Sequence, residues 1–316
     1  MNEQKVVISK PVLSLVGQTA VGKTSLSIEI AKLFDCEIVS TDSMQIYRYM
    51  DIGTAKVSKD EQARIPHHLV DIIDPDETYN ASRFVDDALA AIAAIHQRDK
   101  IPLLTGGTGL YLKALTQGLF ENAPGNQNIK NELHVRLKRD GLESLYNELV
   151  ISDPDYSRKI HQNDTARIIR GLEIIQTTGK TVTTHLKEQA AQENNRIFLK
   201  FLCLGIEMDR QKLYQRIDLR TELMLEQGFE EEVQWLLDND YPCELKSMKS
   251  IGYKQMCQYL GGQISYPKLK ETIARDTRHY AKRQMTWFRK EKSIEWVSHS
   301  EPETFFHRIS SWLEAE

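Results

Sequence analysis

Eight consecutive residues, Gly17, Gln18, Thr19, Ala20, Val21, Gly22, Lys23 and Thr24, fit the pattern G-x-x-x-x-G-K-[ST] without a gap. The pattern functions only between a strand and a helix: its glycines let backbone N–H groups turn toward one point, and the helix start adds a positive partial charge there. Both flanks meet that condition. Residues 12–16 form a short apolar run of strand type, and residues 25–34 carry apolar side chains at helical spacing. The expected ligand therefore carries phosphates. Lys23 supplies a full positive charge to them, and the Thr24 hydroxyl is placed to hold a Mg²⁺ that bridges their oxygens.

The rest of the chain extends this start into an α/β fold. Strand-like runs at 37–40 and 101–105 flank an Ala- and Ile-rich helix over 82–98, which predicts a P-loop NTPase-like parallel sheet flanked by helices. Residues 68–73 are a candidate for a further short strand. From about 126 to 192 the periodicity is helical and charged, with turn signals at Asp140-Gly141, Asp153-Pro154 and Thr178-Gly179-Lys180 and no strand pattern. Residues 198–206 restore a strand signature. The expected organisation is a discontinuous P-loop domain over 1–116 and 198–316, with an inserted all-helical domain over 117–197. Further on, Asp209 fits the N-cap of a helix stopping near Gly228, helices follow over 230–239 and 267–290, and 294–297 fits a last edge strand.

Composition narrows the class of partner. The 316 residues are 41% hydrophobic, enough for a sizeable core, and the net charge of −4 excludes a global basic field, so any nucleic-acid surface must be local. Four cysteines, Cys36, Cys203, Cys243 and Cys257, form no C-x-x-C pair, so neither a zinc site nor a disulfide framework is expected and all four read as reduced. With no apolar run approaching 18 residues and no apolar leader, a soluble cytoplasmic protein without a membrane partner is expected.

Several further groups could serve chemistry, each with a plainer alternative. In Thr105-Gly106-Gly107-Thr108-Gly109, paired glycines would expose N–H donors and Thr108 could reach a phosphate oxygen; a tight strand-to-helix turn is the alternative. Asp42, just after the second strand, should emerge at the same sheet edge, as metal ligand, proton acceptor or turn aspartate. Arg216 and Arg220 share a helix face and could reach a polyphosphate, or simply pair with Asp218 and Glu222 on the surface. Arg167 and Arg170 are either solvated charges or RNA contacts. The most basic stretch contains Arg275, Arg278, Lys282, Arg283, Arg289, Lys290 and Lys292, interleaved with His279, Tyr280, Trp287 and Phe288. Arg275, Arg278 and Lys282 lie on one helical stripe suited to backbone phosphates, while the aromatics pack inward or stack on bases.

Taken together, the phosphate loop, Thr41-Asp42-Ser43-Met44-Gln45-Ile46-Tyr47 with Met50-Asp51-Ile52-Gly53-Thr54-Ala55-Lys56, and Gly106-Gly107-Thr108-Gly109-Leu110-Tyr111 resemble the bacterial-type tRNA dimethylallyltransferase (tRNA isopentenyltransferase) family. Pro66-His67-His68-Leu69, Asn163-Asp164, Ser250-Ile251-Gly252-Tyr253 and Arg283-Gln284 with Trp287-Phe288 extend the likeness over nearly the whole chain. The resemblance implies transfer of a dimethylallyl group from dimethylallyl diphosphate to N6 of adenosine 37 in tRNA. It implies Asp42 as general base, and Lys23, Thr24 with Mg²⁺, Thr108 and Arg220 as stabilisers of the departing diphosphate. It further implies tRNA contacts by Asp42, Ser43, Met44, Gln45, Thr108, Lys130, Ala166, Arg167, Ile168, Ile169 and Arg170, with the insertion and the basic stretch (Arg275, Arg278, Lys282, Arg283) gripping the anticodon stem-loop of a monomeric enzyme.

Two enzymatic rivals share the loop. A small-metabolite kinase would consume ATP, and a prenyltransferase of free adenine nucleotides would need neither the insertion nor the basic stretch. An RNA-binding regulatory GTPase is disfavoured because no N-K-x-D guanine-reading motif occurs.

Overall fold

The computed structural model describes residues 6–118, 125–191 and 196–315. A short strand β1 (Val6–Ile8) precedes β2 (Val12–Gly17), all six of whose residues are buried. The phosphate loop then leads into α1 (Lys23–Leu33), followed by β3 (Cys36–Ser40), the short α2 (Lys59–Arg64), β4 (His67–His68), α3 (Ala81–Gln97), β5 (Ile101–Gly106) and α4 (Gly109–Gln117). Four helices follow: α5 (Gln127–Ser152), α6 (Pro154–Ser157), α7 (Thr165–Thr178) and α8 (Val182–Ala191). After them come β6 (Arg196–Phe198), β7 (Phe201–Glu207), α9 (Arg210–Glu226), α10 (Phe229–Asp238), α11 (Tyr253–Leu260), α12 (Tyr266–Phe288), β8 (Ile294–Ser298) and α13 (Pro302–Glu314).

Six strands form one parallel sheet in the order β4-β3-β5-β2-β7-β8, and β1 pairs with β6 in a separate two-stranded sheet. A parallel sheet is covered by helices on both faces, which is why β2 and β7 read as nearly unbroken apolar runs. Leu13, Leu15, Leu103, Leu202, Leu204 and Ile206 form the sheet's part of the main core, against Leu26 and Ile30 of α1, Leu213 and Ile217 of α9 and Phe305 of α13. Strand β2 is central, flanked by β5 and β7, so the loop after it opens at the middle of the sheet's C-terminal edge.

The described chain divides into two compact units, one holding Gln117–Ile197 and the other Val7–Thr116 and Phe198–Glu316. Within the former, α5 packs on α7 through Leu133, Leu145, Leu149, Ile168, Ile169 and Leu172. Its turns fall where the sequence signals them. Gly141 takes a positive φ of 80° that breaks α5, Asp153 caps α6 ahead of Pro154, and Gly179 closes α7 at φ 70°.

Two expectations need correction. The strand expected over 68–73 shrinks to His67–His68, because Leu69 and Asp71 take left-handed φ values of 61° and 57° that no strand accommodates; Ile73 makes only an isolated bridge to Tyr47. The cysteines are not all reduced: Cys243 and Cys257 form a disulfide across 14 residues, while Cys36 and Cys203 are free and buried. A wide spacing excludes a zinc knuckle but does not prevent two cysteines from meeting once α10 and α11 pack together.

Candidate active site

The phosphate loop is shaped by two left-handed residues, Ala20 at φ 63° and Gly22 at φ 101°, before α1 begins at Lys23. A side chain at Gly22 would also press on His299, whose Nε2 lies 3.0 Å from the would-be Cβ. Lys23 Nζ donates to the carbonyls of Gly17 and Gln18 at 2.9 and 2.7 Å, so the loop curls around its own cation. Burial lowers the Lys23 ammonium to about 8, with Asp42 opposing that shift and Arg220 adding to it. Thr24 stands exposed on the first turn of α1.

Helix α9 supplies two arginines to this loop, Arg220 half-buried and Arg216 exposed. Arg216 Nε donates to Ala20 O at 2.8 Å and Arg220 Nη1 to Thr19 Oγ1 at 3.3 Å. Burial also pulls the Arg220 guanidinium down, and the charge of Asp42 pushes it back up. The surface pairing expected for this helix face is absent: Asp218 pairs instead with Arg278, and Glu222 with Lys270 at 2.6 Å.

Asp42 emerges from β3 beside this cationic group. Its Oδ1 accepts the Met44 N–H at 2.8 Å, so it makes an aspartate turn while its charge acts on Lys23, Arg220 and Tyr280. Thr108 joins the same cluster, its Oγ1 accepting the Ser43 N–H at 3.1 Å. The glycines of that second turn are explained by close approach. A Cβ on Gly106 would lie 2.6 Å from the backbone carbon of Thr41, one on Gly107 would lie 2.2 Å from Gln284 Nε2, and one on Gly109 2.2 Å from the Trp287 ring. Gln45, also from this stretch, donates to Ala55 O at 3.3 Å.

Next to these polar groups lies a cavity of about 300 Å³. Thr19, Asp42, Ser43, Met44, Arg220 and Tyr280 line it together with Ile217 and Met224 of α9, Ile273 of α12, and Tyr253. Burial, reinforced by Asp42, raises the Tyr280 hydroxyl to about 12, so it stays protonated near neutral pH. Sequence reading missed the apolar part of this wall, although the spacing of Leu213, Ile217, Thr221 and Met224 marks the buried face of α9. It also missed Glu232, whose carboxylate accepts N–H groups from Asp51, Ile52 and Gly53 at 2.9, 2.7 and 3.2 Å and the Tyr253 hydroxyl at 2.6 Å. No group of three His, Cys, Asp or Glu residues suited to a metal ion occurs among the described residues.

The basic stretch is more divided than its sequence suggests. On α12, Arg275 pairs with Asp276 at 2.9 Å and Arg278 with Asp218, whereas Lys282 and Arg283 are exposed and enter no ion pair among the described residues. Three of its four aromatics turn inward: Phe288 is buried, Trp287 packs on Gly109 and Tyr280 lines the cavity, while His279 is exposed. In the helical unit, Lys130, Ala166 and Arg167 are exposed, Arg167 lies 3.4 Å from Asp164, and Arg170 pairs with Glu173 at 2.9 Å. Ile168 and Ile169 do not offer their side chains to RNA. Both belong to that unit's apolar core, at 0% and 4% exposure.

Comparison with known proteins gives concordant matches. The sequence model of the IPP transferase family matches residues 45–291. A tRNA dimethylallyltransferase of Desulfotalea psychrophila is 48% identical over 307 residues, covering 97% of each chain, and one of Geotalea uraniireducens is 46% identical over 291 residues, covering 92% of each. Among solved structures, a tRNA isopentenylpyrophosphate transferase from Bacillus halodurans superposes with a TM-score of 0.70 at 34% identity, covering 98% of this chain and 97% of the other. A eukaryotic dimethylallyltransferase acting on tRNA gives a TM-score of 0.77 at 32% identity, with 92% and 74% covered.

Proposed function

Because this chain belongs to the IPP transferase family, whose named relatives are tRNA dimethylallyltransferases, we propose that it transfers a dimethylallyl group from dimethylallyl diphosphate to N6 of adenosine 37 in tRNA. The observation that carries this reading is the composition of one cavity. Its lining combines a phosphate-loop residue, an arginine and a carboxylate with Ile217, Met224 and Ile273, matching a ligand that is anionic at one end and a short hydrocarbon at the other. A kinase site has no need of that apolar wall.

The chemistry follows from these groups. A carbon–nitrogen bond forms as the carbon–oxygen bond to diphosphate breaks, and the N6 proton passes to the Asp42 carboxylate. The exocyclic amine is a weak nucleophile, so removal of its proton and neutralisation of the leaving group share the barrier. Lys23, Arg220, Arg216 and the loop N–H groups take up the charge that develops on the diphosphate. The Tyr280 hydroxyl, protonated near neutral pH, and Thr108 add hydrogen bonds at the same place.

Mg²⁺ fits this arrangement as an ion that arrives with the diphosphate, because it binds through few protein oxygens plus phosphates and the site offers hard oxygen donors without a ready-made carboxylate cage. The Thr24 hydroxyl would hold it, and when bound it would neutralise phosphate charge. The adenine must leave the anticodon stack to reach this cavity. Lys282 and Arg283 on α12, and Lys130, Ala166, Arg167 and Arg170 in the helical unit, are the outward groups suited to backbone contact. We place this activity in a cytoplasmic monomer; no helix among the described residues is long and apolar enough to cross a membrane.

The test is incubation with dimethylallyl diphosphate and unmodified tRNA, followed by mass analysis of the nucleosides. The expected result is a five-carbon gain on adenosine that requires both substrates. Gain on free adenine nucleotides alone, or ATP consumption with a small hydroxylated acceptor and no change in tRNA, would overturn it.

A further inference from the structure

One buried side chain touches both phosphate-facing turns without belonging to either. Gln284, on α12 and 6% exposed, accepts the Thr19 N–H on its Oε1 at 2.8 Å and donates from its Nε2 to Gly107 O at 2.9 Å. One turn earlier, the carbonyl of Ala281 accepts the Gln18 side-chain amide at 2.9 Å. Helix α12 thus holds two successive residues of the phosphate loop, and its glutamine spans the distance between that loop and the turn carrying Thr108.

The bond to Gly107 is buried and the bond to Thr19 partly so, and a partner lost from either leaves a polar group poorly satisfied. Other bonds hold each turn separately, Ala281, Arg216 and Arg220 on the phosphate loop and Thr41 and Ser43 at Thr108, whereas Gln284 bonds to both turns at once. Thr19 and Gly107 follow different strands, β2 and β5, and beyond the strand ends their separation is set by whatever joins them. Gly107 is shaped for that tie: the nearest atom to a Cβ placed there is Gln284 Nε2 at 2.2 Å, and the next neighbours are 3.4 Å or more away.

We propose that Gln284 is a positioning residue, fixing the phosphate loop against the Gly106-Gly107-Thr108-Gly109 turn so that both address one diphosphate. The inference rests on the reading of the loop as a diphosphate site. It adds that the amide acts as a two-ended spacer, accepting from one turn and donating to the other.

A double-mutant cycle tests it, with inorganic diphosphate as the probe in calorimetry and thermal melting as the control for folding. Gln284→Met keeps the length and apolar bulk but neither hydrogen bond. Gly107→Ala pushes the amide aside while leaving Gln284 in the chain. Each should weaken diphosphate binding by about tenfold, the scale of losing one or two such hydrogen bonds. The double variant should be no weaker than the poorer single, because both changes break the same bridge. In the prenylation assay the same variants should raise KM for the prenyl donor far more than they lower kcat, with KM for tRNA within about twofold, a split that general loss of folded protein does not produce.

Unchanged affinity in either single variant, additive weakening near a hundredfold in the double, or absence of diphosphate binding by the unmodified protein overturns the proposal. Wild-type protein that binds diphosphate with the expected cycle but never prenylates tRNA would leave Gln284 in its role and remove the assigned reaction instead.

Discussion

Asp42 is held and charged at once, and those two duties can be separated by substitution. One carboxylate oxygen accepts the Met44 N–H, a bond that an asparagine can reproduce, while proton removal from an amine needs the carboxylate itself. Asp42→Asn should therefore keep the melting temperature and lower kcat by roughly 10²- to 10⁴-fold, the range for loss of a general base; turnover within a few-fold of wild type would take Asp42 out of the chemistry. Lys23 gives a pH signature. Its folded pKa of about 8 lies below the ordinary lysine value of 10.5, so between these values the unfolded chain holds more protons. This group's contribution to stability consequently rises with pH across that window. Diphosphate prefers the charged lysine, so affinity for inorganic diphosphate should fall as pH rises through about 8, and Lys23→Met should bind weakly with that step gone. A wild-type profile flat between pH 7 and 9 would show that the ammonium is not titrating there.

At the scale of elements, α12 has two faces with different tasks. Its inner side carries Ala281, Gln284 and Phe288, while Lys282 and Arg283 stand exposed and Arg275 and Arg278 are occupied by carboxylates. Neutralising Lys282 and Arg283 together should flatten the salt dependence of tRNA binding by about one unit of log–log slope per lost phosphate contact, whereas neutralising Arg275 should change it less. Equal slopes in all variants would assign the face to solvent. The phosphate loop was legible in the sequence because strand, turn and helix are contiguous there, and the α12 contacts were not. Gln284 meets Thr19 from 265 residues away and Arg220 from 201, distances over which periodicity carries no information. The Cys243–Cys257 link escaped for a related reason: spacing excludes metal motifs but says nothing of how α11 folds back. Closing a loop of that size is worth about 3 kcal/mol by chain entropy, so reduction should lower the melting temperature by several degrees, and alkylation of Cys243 and Cys257 without reductant would refute the bridge.

At the scale of the whole molecule, the two compact units have separate apolar cores. One is built on the sheet through Leu13, Leu15, Leu204 and Ile206, the other on α5 and α7 through Leu133, Leu145, Leu149, Ile168 and Leu172. The helices of the second can approach because Gly171 leaves room: a Cβ there would lie 3.0 Å from Tyr156 and 3.1 Å from Leu149. Leu149 is fully buried, and truncating such a leucine costs about 2–5 kcal/mol, enough to melt a small helical unit while a larger sheet persists. Calorimetry of Leu149→Ala should accordingly show an early transition absent or merged in the wild type, with the main transition unmoved. Between the two transitions, inorganic diphosphate should bind with wild-type affinity and tRNA should bind weakly, since the phosphate loop, Asp42 and Arg220 all belong to the sheet unit. A single transition that carries both ligands down together would mean that the cores unfold as one, and the division of labour between diphosphate and RNA would then have to be sought within the sheet unit itself.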